Sequence, residues 1–301
     1  MNWEDWLNSA AKPPSDHEDS KWQRTLEQVK EALNAHEPLK GRSWRVYAKG
    51  SYANNTNVRL NFDVDIAVEY YGYFYSDLSF ELEGKDDSEV GVSASTDTYT
   101  TTQFKKDILD ALTASYGKES VETGDIAYRV RNGKTTLPAD VVPCWEYRRY
   151  DTIKNGVPQY HQGSRVFTAS GKIVNNFPAQ QLANGINKNL RTGRRYKRLT
   201  RALKKLQTRM LEAGEINKEL PSYLIECLVY NVPNDKFGAD SYTADMRWIL
   251  ATIFNNTLPA GDWNDWEEVN GLKYLFRGHT KWTREQVHDF ADAAWKHMGY
   301  E

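Results

Sequence analysis

The sequence predicts an α+β chain in two parts: a mixed strand-and-helix segment over residues 1–175, then a helical segment over 176–301. A cleft is expected between them. Three observations carry this expectation. Phe62 to Tyr70 alternates, with Phe62, Val64, Ile66 and Val68 on one side and Asp63, Asp65, Ala67 and Glu69 on the other. That is the period of a strand. Ile126 to Arg131 and Lys134 to Trp145 flank Asn132-Gly133, the dipeptide of a type I′ hairpin turn. From about Gln180 the strand signals fade, and helical spacing recurs to the C-terminus.

The remaining elements follow in order. Ser20 can cap a first helix with Trp22, Leu26, Val29 and Leu33 on one face and Pro38 beyond its end. Arg45 to Lys49 reads as a short strand, closed by Gly50-Ser51. Gly72 to Ser95 is acidic and irregular, a surface excursion. Thr102 to Tyr116 is helical, with Phe104, Ile108, Leu109 and Leu112 inward and Gly117 as its stop. Leu199 to Leu211 is a basic helix, and Ser222 to Tyr230 an apolar one. No internal repeat or low-complexity segment interrupts this order.

Composition bounds the class. The chain has 301 residues, 40% hydrophobic and 27% charged, with a mean hydropathy of −0.74. These values describe a soluble globular protein. The longest strongly apolar run, Trp248 to Phe254, is too short to cross a bilayer. The N-terminus has no basic-then-apolar leader pattern. Two cysteines, Cys144 and Cys227, support neither a disulfide framework nor a zinc site. The expected setting is a reducing cytoplasm, with no membrane and no zinc.

Charge is unevenly spread. The formal net is −2, yet the 60 residues between Asp151 and Glu212 hold 13 Lys or Arg and no acid. The remainder carries 26 basic against 41 acidic residues. Such asymmetry fits a polyanion site as well as it fits a solvated helix face. The six histidines are scattered without metal-ligand spacing. His161 lies nearest the start of the second part and reads as a surface residue.

Asp63 and Asp65 are the sharpest local feature. A strand puts both side chains on one face, about 7 Å apart along the chain. Carboxylates that close repel one another unless a cation sits between them. Hard oxygen donors suit Mg²⁺, which takes one or two carboxylates together with substrate phosphates. Gly50-Ser51 lies upstream, with eleven residues between Ser51 and Asp63, where backbone amides and a hydroxyl can hold phosphate oxygens. Asp140 lies on a later strand, and if that strand pairs beside the first, a third carboxylate arrives. Taken singly, Asp-x-Asp, Gly-Ser and a strand-end Asp are each ordinary structure. Together, three carboxylates around two metals fit in-line phosphoryl or nucleotidyl transfer.

This spacing resembles the nucleotidyltransferase superfamily of the polymerase β type. The run Ala139 to Arg149 is similar to the third-carboxylate segment of the bacterial cGAS/DncV-like nucleotidyltransferases, the CD-NTases. So are Ile173 to Pro178, Asn184 to Asn189 and the basic helix. Pro221 to Leu228, followed by Asn231-Val-Pro233, resembles the same family's second-lobe helix. The similarity is closest to clade E and runs from residue 50 to about 233.

The resemblance implies a polymerase β-like catalytic core over 1–175, with its N-terminal helix, and a helical lobe over 176–301 carrying a donor-phosphate helix. It implies an enzyme joining two nucleoside triphosphates, expected to be ATP and UTP, into a cyclic dinucleotide such as cyclic UMP-AMP. The product would be a second messenger in anti-phage defence (CBASS), read by a downstream effector. Asp63, Asp65 and Asp140 would hold two Mg²⁺, or Mn²⁺. Gly50, Ser51, Lys204 and Ser222 would contact donor phosphates, with Lys205 the neighbouring alternative to Lys204. Asn176, or Asn175, would read a pyrimidine edge. A bacterial monomer is expected, not activated by DNA.

Two other readings compete. A transferase acting on a small molecule, protein or RNA end would use the same core. A non-catalytic nucleic-acid module would use the basic block, but has no reason to set three carboxylates beside an anion. RNA-end transfer would favour a further basic or aromatic RNA-binding region, and none is obvious. The chemistry of the C-terminal Gly299-Tyr-Glu301 is left open.

Overall fold

The computed structural model of the chain describes residues 2–58, 63–131, 137–278 and 281–300, and for residues 16–18 the backbone alone. Its elements run α1 (Trp3–Ala10), α2 (Asp16–Ala35), β1 (Trp44–Ala48), α3 (Gly50–Asn54), β2 (Val64–Asp77), α4 (Thr101–Tyr116), β3 (Val121–Thr123), β4 (Tyr128–Val130), β5 (Ala139–Lys154), β6 (Val157–Phe167), β7 (Ile173–Asn176), α5 (Pro178–Arg191), α6 (Arg195–Glu212), α7 (Ser222–Asn231), α8 (Tyr242–Asn256) and α9 (Arg284–His297). The fold is α+β, as expected. No described helix is long and apolar enough to cross a membrane.

The chain forms two compact units. One comprises residues 15–53 and 62–179, and the other 1–14, 54–61 and 180–301. The backbone therefore passes between them several times.

In the first unit, the described strands form one mixed sheet in the order β1-β2-β5-β4-β3, with β6 on β5 and β7 on β6. β2 and β5 run parallel, and their long apolar runs are buried on both faces, as parallel strands require. Val64, Ile66, Val68, Val141 and Trp145 pack against Val29 and Leu33 of α2 and Phe104, Ile108 and Leu112 of α4. Ala67, Val142, Cys144 and Val166 form a smaller cluster. Phe104 is fully buried, so trimming it to alanine costs about 3–5 kcal/mol.

Several expectations shift here. α2 starts at Asp16, and the Asp19 amide bonds the Ser15 carbonyl. Ser20 therefore lies inside the helix and does not cap it. β2 continues to Asp77, so the irregular excursion begins only at Leu78 rather than at Gly72. A register shift between Tyr70 and Phe74 absorbs the glycine. β4 and β5 pair antiparallel as expected. The Asn132-Gly133 turn lies outside the described residues, as do Phe62, His279 and Glu301. β6 and β7 extend the sheet past the expected strands. Asn155 and Gly156, with φ of 52° and 77°, make the two-residue turn from β5 to β6.

The second unit is helical. Its core joins Leu7 of α1, Leu199, Leu203 and Leu206 of α6, Leu224 and Leu228 of α7, Ile249 of α8 and Phe290 of α9. α1 was not anticipated. Asn2 caps it, its side-chain oxygen accepting from the amides of Glu4 and Asp5 at 3.0 and 3.3 Å.

Candidate active site

The parallel register of β2 and β5 decides the geometry of the carboxylates. It sets Asp65 opposite Asp140, each the second residue of its strand, about 4.8 Å apart across the sheet. Asp63 immediately precedes β2. The main-chain amide of Lys49 donates to the Asp65 carbonyl at 2.9 Å, which carries Gly50 to the Asp65 side chain. A β-carbon on Gly50 would stand 2.1 Å from Asp65 Oδ2, and Gly50 has a φ of +66°. The missing side chain is thus the space that the carboxylate fills.

Charge in this place is concentrated. Burial pushes the Asp65 carboxyl above its usual range, with Lys49 opposing the shift and Asp140 and Asp63 adding to it. Burial also raises Asp140, against the pull of Arg129. Arg129 Nε stands 3.7 Å from Asp140 Oδ1. Asp63, Asp140, Arg129 and Arg131 line a small cavity of about 100 Å³.

A divalent cation suits this donor set. The oxygens are hard, and their mutual repulsion is only partly offset by Lys49 and Arg129. The three carboxylates do not, however, bring one oxygen each to within 4.8 Å of one another. Among the described residues, the group that does is His36, Asp107 and Asp110, which shares no member with them. Asp107 there accepts from the Tyr99 hydroxyl, and Asp110 pairs with Lys106 at 2.5 Å.

The two asparagines lie on β7 of the same unit. Asn175 is committed: its Oδ1 accepts from Arg165 Nε at 2.9 Å. That guanidinium lies over the rings of Tyr75 and Tyr147. Asn176 faces the other side of the strand.

Lys204 and Ser222 belong to the helical unit. Lys204 is 5% exposed, and its ammonium donates to the Thr56 carbonyl at 3.0 Å. It stands 3.9 Å from Glu226, which also accepts from Thr56 Oγ1 at 2.7 Å and Gln181 Nε2 at 3.2 Å. The Lys204 charge is therefore spent inside its own unit. Lys197, seven residues earlier and so on the same face of α6, is half-buried and has no ion pair or side-chain hydrogen bond among the described residues. Lys205 is partly exposed. Ser222 opens α7 after the N-cap Pro221, and its side chain makes no hydrogen bond among the described residues.

Sequence reasoning passed over Lys49, Arg129, Lys197 and the Thr56–Glu226 pair. Lys49 could have been found from its place before Gly50. Thr56 and Glu226, 170 residues apart, left no local signal.

Paired carboxylates at the starts of two parallel strands, on a mixed sheet with flanking helices, are nucleotidyltransferase architecture. Residues 183–299 match the model of the cGAS/DncV-like nucleotidyltransferase C-terminal helical domain. The cyclic dipyrimidine nucleotide synthase CdnE of Cecembia lonarensis is 38% identical over 299 residues, 99% of this chain and 98% of that protein. The cyclic dipurine nucleotide synthase of Elizabethkingia meningoseptica is 34% identical over the whole of both chains. The structure of the Rhodothermus marinus CdnE c-UMP-AMP synthase with Apcpp and Upnpp superposes with a TM-score of 0.83 at 29% identity, covering 99% of this chain and 98% of that one. The chain belongs to the cGAS/DncV-like nucleotidyltransferases, in the group of the CdnE cyclic dinucleotide synthases.

Proposed function

We propose that the enzyme joins ATP and UTP into cyclic UMP-AMP or a related cyclic dinucleotide, releasing pyrophosphate at each step, at Asp63, Asp65 and Asp140. The observation that carries this reading is the register of Asp65 beside Asp140 over the bare Cα of Gly50. Asp63, Asp65 and Asp140 would hold two Mg²⁺ or Mn²⁺ ions. Such ions, when bound, lower the pKa of an acceptor 3′-hydroxyl and take up charge at the α-phosphate and the leaving pyrophosphate. Asp140 would accept the acceptor proton. Gly50 and Ser51 would hold donor phosphate oxygens, as would the hydroxyl of Ser222. Lys204 would contact the donor phosphates, or else Lys197 on the same face of α6, which has no side-chain hydrogen bond among the described residues to give up. Asn176 would read the pyrimidine edge, while Arg165 holds Asn175 in the sheet.

The product would act as a second messenger in CBASS anti-phage defence, recognised by a separate effector, with a monomeric enzyme working in the bacterial cytoplasm. A second reading, in which both bases are pyrimidines, is favoured by the CdnE relatives from Cecembia lonarensis and Legionella pneumophila. Both are cyclic dipyrimidine nucleotide synthases, at 38% and 36% identity.

Mass spectrometry of a reaction with all four NTPs and Mn²⁺ tests both readings. We expect a phosphatase-resistant cyclic product, lost in Asp63→Asn/Asp65→Asn, with less pyrimidine in the product of Asn176→Ala. Label found only in a macromolecular acceptor, or no conversion in any pairing, refutes the cyclase reading. A product of two pyrimidines selects the second.

A further inference from the structure

We propose that Arg129 is a built-in counter-cation of the carboxylate site, held against Asp140 in the metal-free protein and displaced when a divalent ion binds there. The inference rests on the metal reading of Asp63, Asp65 and Asp140 given above.

The sheet register places it. Arg129 on β4 lies directly opposite Asp140 on β5 and directly opposite Glu122 on β3. Side chains at opposed positions share a face of the sheet. Tyr128 and Val130, on either side in β4, turn into the core, so alternation sends Arg129 to the face that carries Asp140. The arginine is thus flanked by one carboxylate from each neighbouring strand.

The contact is made to be broken. At 3.7 Å from Asp140 the guanidinium is within ion-pair reach yet too far for a hydrogen bond. Its side chain is 55% exposed, so little packing holds it. Of the cations acting on Asp140, Arg129 acts most strongly, ahead of Lys49 and Arg131. Arg131 is drawn aside to Glu122, also at 3.7 Å. A guanidinium keeps its charge at any working pH, so it cannot yield to a metal ion by losing a proton. It has to move, and solvent or Glu122 can receive it.

Arg129 therefore has two opposed effects. It relieves carboxylate repulsion while the site holds no ion, and it competes with the ion that the site is built to take. An exposed pair of this length corresponds to about a threefold change in affinity. In calorimetric titration of the nucleotide-free protein with Mn²⁺, Arg129→Gln should bind about threefold more tightly than wild type. Arg129→Lys should fall between them, and Arg131→Gln should shift far less. The urea midpoint of metal-free Arg129→Gln should fall, with full recovery on adding Mn²⁺.

Unchanged or weaker Mn²⁺ binding by a folded Arg129→Gln overturns the proposal, as does an equal shift in Arg131→Gln. If wild type binds no Mn²⁺ that depends on Asp63 and Asp65, the metal reading falls and this inference falls with it. If wild type binds and Arg129→Gln matches it, only the present inference fails.

Discussion

Replacing Gly50 by alanine separates the two things that glycine does for the site. Its φ of +66° costs an alanine about 1–2 kcal/mol. The new methyl would also stand 2.1 Å from Asp65 Oδ2, where ordinary contact begins at 3.4 Å. The carboxylate must therefore retreat by about 1 Å, and misplacing a reacting group by that much costs about 100-fold in rate. Gly41 supplies the control. It has a φ of +71° with nothing within 4 Å of an added β-carbon, so Gly41→Ala carries the strain without the collision. Gly41→Ala should lose about 1–2 kcal/mol in urea unfolding, and Gly50→Ala at least as much because the collision adds to the strain. In a pyrophosphate-release assay under conditions where both are folded, Gly50→Ala should turn over about 100-fold more slowly than Gly41→Ala. Equal rates in the two variants would refute the argument that Asp65 must occupy the place of that missing side chain.

Ser222→Ala tests a phosphate contact against a structural cap. Its hydroxyl makes no hydrogen bond among the described residues, so urea stability should hold within about 0.5 kcal/mol, where loss of a real cap costs about 1. Turnover at low NTP should fall about tenfold, as for loss of one charge-assisted hydrogen bond; a loss of stability with unchanged turnover would reverse the assignment. Lys188 gives a pH signature. Burial, with Arg191 adding to it, pushes its ammonium down to about 8, whereas an unfolded lysine titrates near about 10.4. Between these values the unfolded chain binds the extra proton, so wild-type stability should gain from this group as pH rises. Partial exposure trims the effect to the order of 1 kcal/mol. Lys188→Met should lack that gain, and a stability difference from wild type that stays constant from pH 7.5 to about 10.5 would count against it.

The α+β class and the carboxylate site were legible because both rest on short-range patterns. Alternation along Phe62 to Tyr70 fixed which face Asp63 and Asp65 share, and the hairpin reading brought Asp140 onto a strand. What the alternation could not supply was the partner of β2. The parallel pairing with β5 is a long-range choice between buried apolar strands, and it is this pairing that sets Asp65 against Asp140. Gly72 misled because glycine weakens a strand reading. In the fold it sits at a bulge where an added β-carbon would meet the Tyr70 hydroxyl at 2.5 Å, so the sheet needs its smallness. Asn155-Gly156 carried the same hairpin signal as Asn132-Gly133 and was passed over. The residues after it, Val157 to Phe167, are rich in Gln, His, Ser and Arg and do not alternate as a half-buried strand does.

The basic block is where sequence counting and structure diverge most. Thirteen cations without an acid read mainly as a wall for nucleotide phosphates. The fold spends several of them internally. Arg201 donates to the carbonyls of Ala11 and Asn55. Arg195 pairs with buried Asp245 at 2.7 Å. Lys204 serves Thr56 and Glu226, Lys188 the Val232 carbonyl, and Arg165 the side chain of Asn175. Long cationic side chains reach the carbonyls left unpaired at turns and helix ends, a demand that net charge does not register. A +13 count therefore overstates the charge available to a triphosphate. The same reasoning sharpens the choice of donor-phosphate contact, because a cation already bonded to protein carbonyls would have to give up those bonds to reach a phosphate. Lys197, on the same helix face without such a bond, would not.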